Sequence, residues 1–299
     1  MILVVGARGC LGAAVSRRLL ARRLPTRVAS RQPESLGALV ACGAQAVRAD
    51  LLHPKTLSTA CDGVDTVFAA AHGLLGRGDN CSEAVDRDGH LALIDAARAA
   101  GVQRFIYTSV LAAAPDHPVD FWRSKFAVER HLEASGMAFT ILRPSAFMEV
   151  HAHQLIGEAV LAGARVRLLG HGTKPRNFVA VNDVAGLAVR ALAGEGLVGR
   201  TLAIGGPDNL SNRAVATLYG ELSGRPVRVA SLPPLLLRAM VPVVSRIHPG
   251  VARLFTMHAL ADDAFDETFD PAALLAEFPG RLTSLREFVA ARVTASQTH

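Results

Sequence analysis

Ile2-Leu3-Val4-Val5-Gly6-Ala7-Arg8-Gly9-Cys10-Leu11-Gly12-Ala13-Ala14-Val15 reads as a strand, a turn and the start of a helix. Four apolar residues, three of them β-branched or branched aliphatics of high strand propensity, give way to glycines at positions 6, 9 and 12. Beyond them Leu11, Val15 and Leu19 recur at helical spacing. Glycine at these three points lets the chain turn tightly, lets backbone amides approach a ligand, and lets the helix pack close to the strand. The amides of a helix N-terminus carry partial positive charge, so the segment predicts a diphosphate held by Gly6, Arg8, Gly9, Cys10, Leu11 and Gly12. The spacing alone is a weak signal; following a strand and opening a helix, it is strong.

The rhythm continues outward. Strands are expected at Ile2–Val5, Arg27–Ala29, Ala46–Arg48, Thr66–Ala69, Arg104–Thr108 and Phe139–Leu142. Helices are expected near Leu11–Arg23, Leu36–Cys42, Pro54–Cys61, Ala84–Ala100 and Phe121–Ser135. This alternation predicts a Rossmann-like, doubly wound parallel α/β sheet with ligand at the carboxyl ends of its strands. After Arg143-Pro144 the pattern loosens. Strands are expected at Val166–Leu169, Phe178–Val181 and Arg200–Ile204, and helices at Val184–Ala193 (with Asp183 as its cap), Ser211–Ser223 and Leu282–Val293. Residues 1–144 are therefore assigned to a dinucleotide-binding domain, to which parts of 176–206 return. Residues 145–175 and 207–299 are assigned to a smaller α/β substrate cap.

Composition narrows the function classes. The chain has 299 residues, 50% hydrophobic and 19% charged, which excludes disordered and fibrous classes. The net charge of +6 does not mark a nucleic-acid partner: aromatics are 5% of residues, and basic residues are spread along the chain without a basic tail. Only Lys55, Lys125 and Lys174 are lysines. The apolar stretch Leu232–Ile247 is too short, and too interrupted by Arg238, Arg246 and prolines, to span a bilayer. Cys10, Cys42, Cys61 and Cys81 have neither metal nor disulfide spacing, and the opening residues lack the features of a secretory leader. A cytoplasmic location without a metal is the expectation; the oligomeric state, monomer or homodimer, stays open.

The end of the second strand selects the dinucleotide. An Asp or Glu there would hydrogen-bond a free ribose and repel a 2′-phosphate. This chain has Ser30-Arg31-Gln32-Pro33 instead. Arg31 can make paired charge-assisted bonds to a phosphate, Ser30 can add one, and Arg8 points to the same region, so NADP(H) is expected. Asp50-Leu51 after the third strand suits either an adenine-edge contact or a plain turn. Ala70 and Ala71, in the run after the fourth strand, suit either a close cofactor approach or small-residue packing.

Together these features resemble the short-chain dehydrogenase/reductase superfamily in its extended and atypical branches, and most of all its NmrA-like, NAD(P)H-binding members. Further pieces of the resemblance are Val85-Asp86-Arg87-Asp88-Gly89, Gly101-Val102-Gln103-Arg104-Phe105-Ile106-Tyr107-Thr108-Ser109 and Thr140-Ile141-Leu142-Arg143-Pro144. Val181-Asn182-Asp183-Val184-Ala185 and Gly205-Gly206-Pro207 extend it across nearly the whole chain. The resemblance implies cofactor contacts from Thr108, Lys125 and Pro144 and a catalytic role for Lys125 with Ser109. It also implies a tyrosine four residues before Lys125, where this chain has Phe121. Val110 stands at the usual place of the serine partner, so the Ser-Tyr-Lys triad is incomplete.

Phenylalanine exchanges no proton. Acceptors that delocalise negative charge, such as quinones and conjugated alkenes, ask least of a proton donor. The expectation is therefore an NADPH-dependent oxidoreductase acting on a small hydrophobic, conjugated or quinone-like substrate. That substrate would be lined by Phe121, Ser145, Phe147, Met148 and His151, with His153 a further candidate. A non-catalytic NADP(H)-binding sensor or regulator is the alternative class.

Overall fold

The computed structural model describes residues 1–193, 196–261 and 265–297. The cap range 207–299 thus includes 262–264 and 298–299, which lie outside the described residues. The chain divides into two compact units, Met1–Arg143 with Val184–Leu202, and Pro144–Asp183 with Ala203–His299.

The first unit is built on strands β1 (Ile2–Val5), β2 (Thr26–Ser30), β3 (Gln45–Arg48), β4 (Thr66–Ala69), β5 (Arg104–Thr108) and β6 (Ala138–Pro144). Its sheet runs β3-β2-β1-β4-β5-β6, and the strand Arg200–Ile204 follows as the seventh. β1 to β6 are mutually parallel. The register sets Val5 beside both Ala29 and Ala69, and Ala69 beside Tyr107. One edge of the sheet therefore carries Gly6, Ser30, Ala70 and Thr108 together. The strand order reverses between β1 and β4, which opens the crevice where a doubly wound sheet takes its ligand.

Helices α1 (Cys10–Ala21), α2 (Gly37–Ala41), α3 (Pro54–Cys61), α4 (Gly89–Ala99) and α5 (Asp120–Ala134) link the strands. Leu3, Val67, Phe105, Leu57, Leu93 and Leu132 are fully buried in one core cluster of this unit. The expected helix at 36–42 forms as α2, preceded by a 3-10 turn at Pro33–Leu36. The expected helix at 84–100 opens as a wider π-helical turn, Glu83–Asp88, before it tightens into α4.

In the second unit, Arg176–Val179 pairs with Ala146–Phe147 in parallel and with Asn209–Leu210 in antiparallel fashion. Val166–Leu169 pairs with Val229–Leu232. Two expectations are corrected here. The strand placed at 178–181 ends at Val179, because the helix Val181–Ala193 begins earlier than Val184. Asp183 does not cap it: the Val181 amide donates to the Glu149 carboxylate at 3.1 Å, and Asp183 accepts from the Thr283 amide at 2.8 Å. A carboxylate distant in sequence holds the helix start, so the local cap is free for other work. The Pro-rich apolar stretch forms the helix Pro234–Ile247, followed by the helix Pro249–Ala261.

Candidate active site

The glycine loop is closed by its own backbone. Gly6 has φ +91°, and a Cβ on it would lie 2.6 Å from the Ala71 amide nitrogen. A Cβ on Gly12 would lie 2.2 Å from the Gly6 carbonyl oxygen. Gly9 donates its amide to Gly6 at 2.9 Å and caps α1 with no side-chain oxygen on the first-turn amides. No acidic residue sits in that first turn. The result is a side-chain-free cradle of positive potential, and it fits a dinucleotide diphosphate. The backbone of Ala70-Ala71 passes directly against Gly6, which leaves no room for a side chain at position 6.

Arg31 is exposed at the tip of β2 and donates to Asn80 Oδ1 at 2.7 Å. Ser30 is nearly buried and accepts from the Gln32 amide at 3.1 Å. Arg8 reaches Gln32 Oε1 at 3.4 Å. Asp50 holds a turn, accepting from the Leu52 amide at 3.1 Å and facing His53 Nδ1 at 3.1 Å. Leu51 packs against the core of this unit.

Beside this cradle, at the end of β5, lies a buried polar cluster. Lys125 is 3% exposed and donates from Nζ to the Thr108 carbonyl at 3.2 Å. Its ammonium lies over the Tyr107 ring, 5.0 Å from the centroid, and 5.5 Å from that of Phe121. The exposed Lys125–Glu129 helix pair that the spacing allows is not formed. Glu129 is fully buried and takes both guanidinium arms of Arg143. Burial pushes the Lys125 ammonium below the ordinary lysine pKa, and the Asp86 and Glu129 carboxylates partly offset that.

Tyr107, Asp86 and His90 are all 0% exposed. His90 meets the Tyr107 ring edge-on at 5.4 Å, and its Nδ1 lies 2.9 Å from the Val85 carbonyl. Asp86 accepts from Ser82 Oγ at 2.6 Å and from the Gly73 amide at 2.9 Å, which anchors the segment carrying His72. His72 is exposed, yet the surrounding protein lowers its pKa, with Lys125 adding to the shift and Asp86 opposing it. Four buried atoms here have no hydrogen-bond partner among the described residues: His90 Nε2, Tyr107 Oη, Thr108 Oγ1 and Ser109 Oγ. Composition and spacing did not single out Asp86, His90 or Tyr107. Asp86 lies in the quoted Val85–Gly89 motif and Tyr107 in the quoted Gly101–Ser109 motif, which are the available signals; His90 lies in neither.

Burial also lowers the His90 pKa to about 3, with Lys125 adding to the shift. The unfolded chain carries an ordinary histidine near pH 6.5, so below that pH it binds a proton that the folded state refuses. Stability is retained above about pH 6.5 and falls as pH drops toward 3, at about 1.4 kcal/mol per unit for this one group. Urea unfolding at several pH values measures the slope, and His90→Gln is expected to flatten it. An unchanged slope in the variant would assign the acid sensitivity elsewhere.

The other expected residues lie in the second unit. Ser145 donates to Asn177 Oδ1 at 2.7 Å. Pro144 is buried at the end of β6, while Phe147 and His151 are half-buried. Met148 corrects the expectation of a pocket-lining side chain: it is 0% exposed and packs with Ala152, Ile156 and Phe178 in the core of this unit. His153 pairs with Tyr219 Oη at 3.0 Å. Among the described residues no group of three or more His, Cys, Asp or Glu could hold a metal ion. No described helix is long and apolar enough to cross a membrane.

A parallel sheet of this strand order, with a glycine cradle at its switch point, defines a Rossmann-type nucleotide-binding protein. Residues 6–195 match the NAD(P)H-binding family, and the chain belongs to it. The NAD(P)H azoreductase of Xenophilus azovorans is 34% identical over 234 residues, covering 78% of this chain and 77% of that protein. The photosystem II assembly factor Ycf39 of Guillardia theta is 28% identical over 236 residues, covering 79% and 74%. Among solved structures, the Escherichia coli NADPH-dependent quinone oxidoreductase complexed with NADPH superposes with a TM-score of 0.75. It is 23% identical, over 97% of this chain and 99% of that one. Family match and relatives together make this chain an NAD(P)H-binding protein that is similar in sequence to a reductase.

Proposed function

We propose that this protein reduces a small hydrophobic, conjugated or quinone-like acceptor with NADPH, and does so without a tyrosine acid/base. One observation carries the reading: a buried lysine of lowered pKa stands one helical turn from a phenylalanine, beside the glycine cradle. The 34% identical azoreductase and the structural likeness to a quinone oxidoreductase support the same acceptor class.

Bound in the cradle, the reduced dinucleotide supplies hydride. The first-turn amides of α1 hold the diphosphate, and Arg31 with Ser30 and Arg8 reads the 2′-phosphate. Thr108 and Ser109 offer free hydroxyls at the end of β5 to the ribose and the acceptor. Lys125 keeps its proton at Nζ within this site. Its lowered pKa moves it toward the working pH, where a general acid is most effective. Phe121 presents an apolar face in place of a phenol, which favours a flat, conjugated acceptor over an isolated ketone. Ser145, Phe147 and His151 are assigned to the acceptor side, Pro144 to the cofactor, and Asp50 with Leu51 to its adenine side.

Stopped-flow oxidation of NADPH against quinones, azo dyes and enones tests the reading, with simple ketones as the contrast. Silence across the conjugated set would overturn it. A second reading, a non-catalytic NADP(H)-binding assembly or regulatory protein, is favoured by the similarity to the photosystem II assembly factor. Under that reading NADPH binds tightly and is oxidised no faster than in buffer.

The cofactor preference has its own test. Arg31→Ala is expected to weaken NADPH about tenfold or more, since a charge-assisted phosphate contact is worth roughly 1.5–3 kcal/mol. NADH affinity should hardly move. Equal losses for both dinucleotides in a fluorescence titration would count against Arg31 as the phosphate reader.

A further inference from the structure

The helix Pro234–Ile247 exposes an aliphatic stripe that packing leaves unused. Leu235, Val243 and Ile247 are 80%, 60% and 71% exposed, and Leu236 beside them is 47% exposed. Leu235, Ala239, Val243 and Ile247 follow one another at intervals of four residues, so they lie along one face. At 1.5 Å per residue the stripe runs about 18 Å. The opposite face holds the helix down, with Leu237 fully buried, and on the stripe's flank Arg238 donates to the Ala259 carbonyl of the following helix at 3.3 Å. Singly exposed leucines are ordinary, but three large aliphatics in line on one helix, with a fourth beside them, are not.

Charge identifies what covers it. From residue 222 to 261 the chain has no Asp or Glu, whereas Arg225, Arg228, Arg238 and Arg246, and the buried Arg253, fall within that span. Arg238 and Arg246 are exposed on the same helix, and Arg246 lies within the angular sector of the stripe. An amphipathic helix with aliphatic residues outward, flanked by arginine and free of carboxylates, has the makeup of an interfacial helix lying in an anionic lipid surface. A second copy of this chain fits less well, because a two-fold contact would set these arginines against their own symmetry mates. A fluid apolar phase also needs no matching shape, and this stripe offers no aromatic anchor of the kind that dominates protein interfaces.

We propose that this protein docks on anionic bilayer surfaces through the helix Pro234–Ile247, with the stripe in the acyl boundary and the arginines at the lipid phosphates. This goes beyond the reductase reading and does not depend on it.

Vesicle flotation of the full chain tests it, using phosphatidylcholine alone and phosphatidylcholine with about 30 mol% phosphatidylglycerol. The wild type is expected to float with the anionic vesicles at least about tenfold more than with the neutral ones, and to be released between roughly 0.05 M and 0.5 M salt. The triple variant Leu235→Gln, Val243→Gln, Ile247→Gln is expected to lose flotation about tenfold or more while keeping its circular dichroism melt and its NADPH affinity. Should the triple variant fold poorly, Val243→Gln alone and the salt series carry the test. Absence of flotation, or equal flotation of wild type and variants, overturns the proposal. A wild-type dimer that ignores vesicles and is split by the same variants overturns it in favour of self-association.

Discussion

Replacing Lys125 with methionine is expected to lower turnover by roughly 10²–10⁴-fold, the range lost with a positioned proton donor, while much of the NADPH affinity survives. Methionine is unbranched and adaptable, so it can fill the buried channel beside Tyr107 and Phe121 that the lysine stem occupies. What it removes is the ammonium, with its bond to the Thr108 carbonyl. The pH profile separates chemistry from packing. Burial lowers the Lys125 pKa from its ordinary value of 10.5, so turnover should fall along an alkaline limb below that value as the proton is lost. The variant should lack this limb. A variant that keeps wild-type turnover and an identical limb would remove Lys125 from the mechanism and leave proton supply to water.

Gly12→Val should abolish measurable NADPH binding, a loss of about a hundredfold or more, because it spoils the cradle and the helix approach together. The added Cβ alone would lie 2.2 Å from the Gly6 carbonyl oxygen and 2.7 Å from its carbon, both backbone atoms that cannot swing aside. The first turn of α1 must then back away from β1, and stability should fall by about 1–3 kcal/mol, as overpacking usually costs. Gly37→Ala is the control: Gly37 opens α2, and a Cβ there meets nothing within 4 Å. Fluorescence titration with NADPH and thermal unfolding read both effects. Near-normal affinity in Gly12→Val would mean that the loop does not hold the diphosphate.

Much of this is legible in the sequence. β4, β5 and α3 fall on the residues that periodicity gives them, because the strands are short apolar runs bounded by turn residues and α3 opens on Pro54 with Leu57, Ala60 and Cys61 at helical spacing. The glycine loop was legible because its spacing reports a backbone requirement that only glycine meets. The buried cluster was not. Asp86, His90, Tyr107 and Lys125 come together through contacts between segments far apart in sequence. Tyr107 sits in an apolar strand and reads as core, while Lys125 is legible as a site residue only through the family resemblance, and its burial is not. Met148 was misread for a related reason: residue type tells that a side chain is apolar, not which cavity or core receives it. The start of the helix Val181–Ala193 escaped because its cap is Glu149, 32 residues upstream.

The return of residues 184–202 to the first unit has a practical corollary. A fragment cut after Arg143 would keep the glycine loop but lose the Leu197 carbonyl that accepts from Thr140 Oγ1, and the Gly199 amide that donates to Phe139. It would also lose the neighbour of β6, baring a row of unsatisfied amides and carbonyls on an apolar strand. Such an open border recruits other chains. Limited proteolysis or truncation at that junction should therefore yield insoluble material, and a minimal soluble nucleotide-binding fragment would have to be made by splicing rather than by trimming.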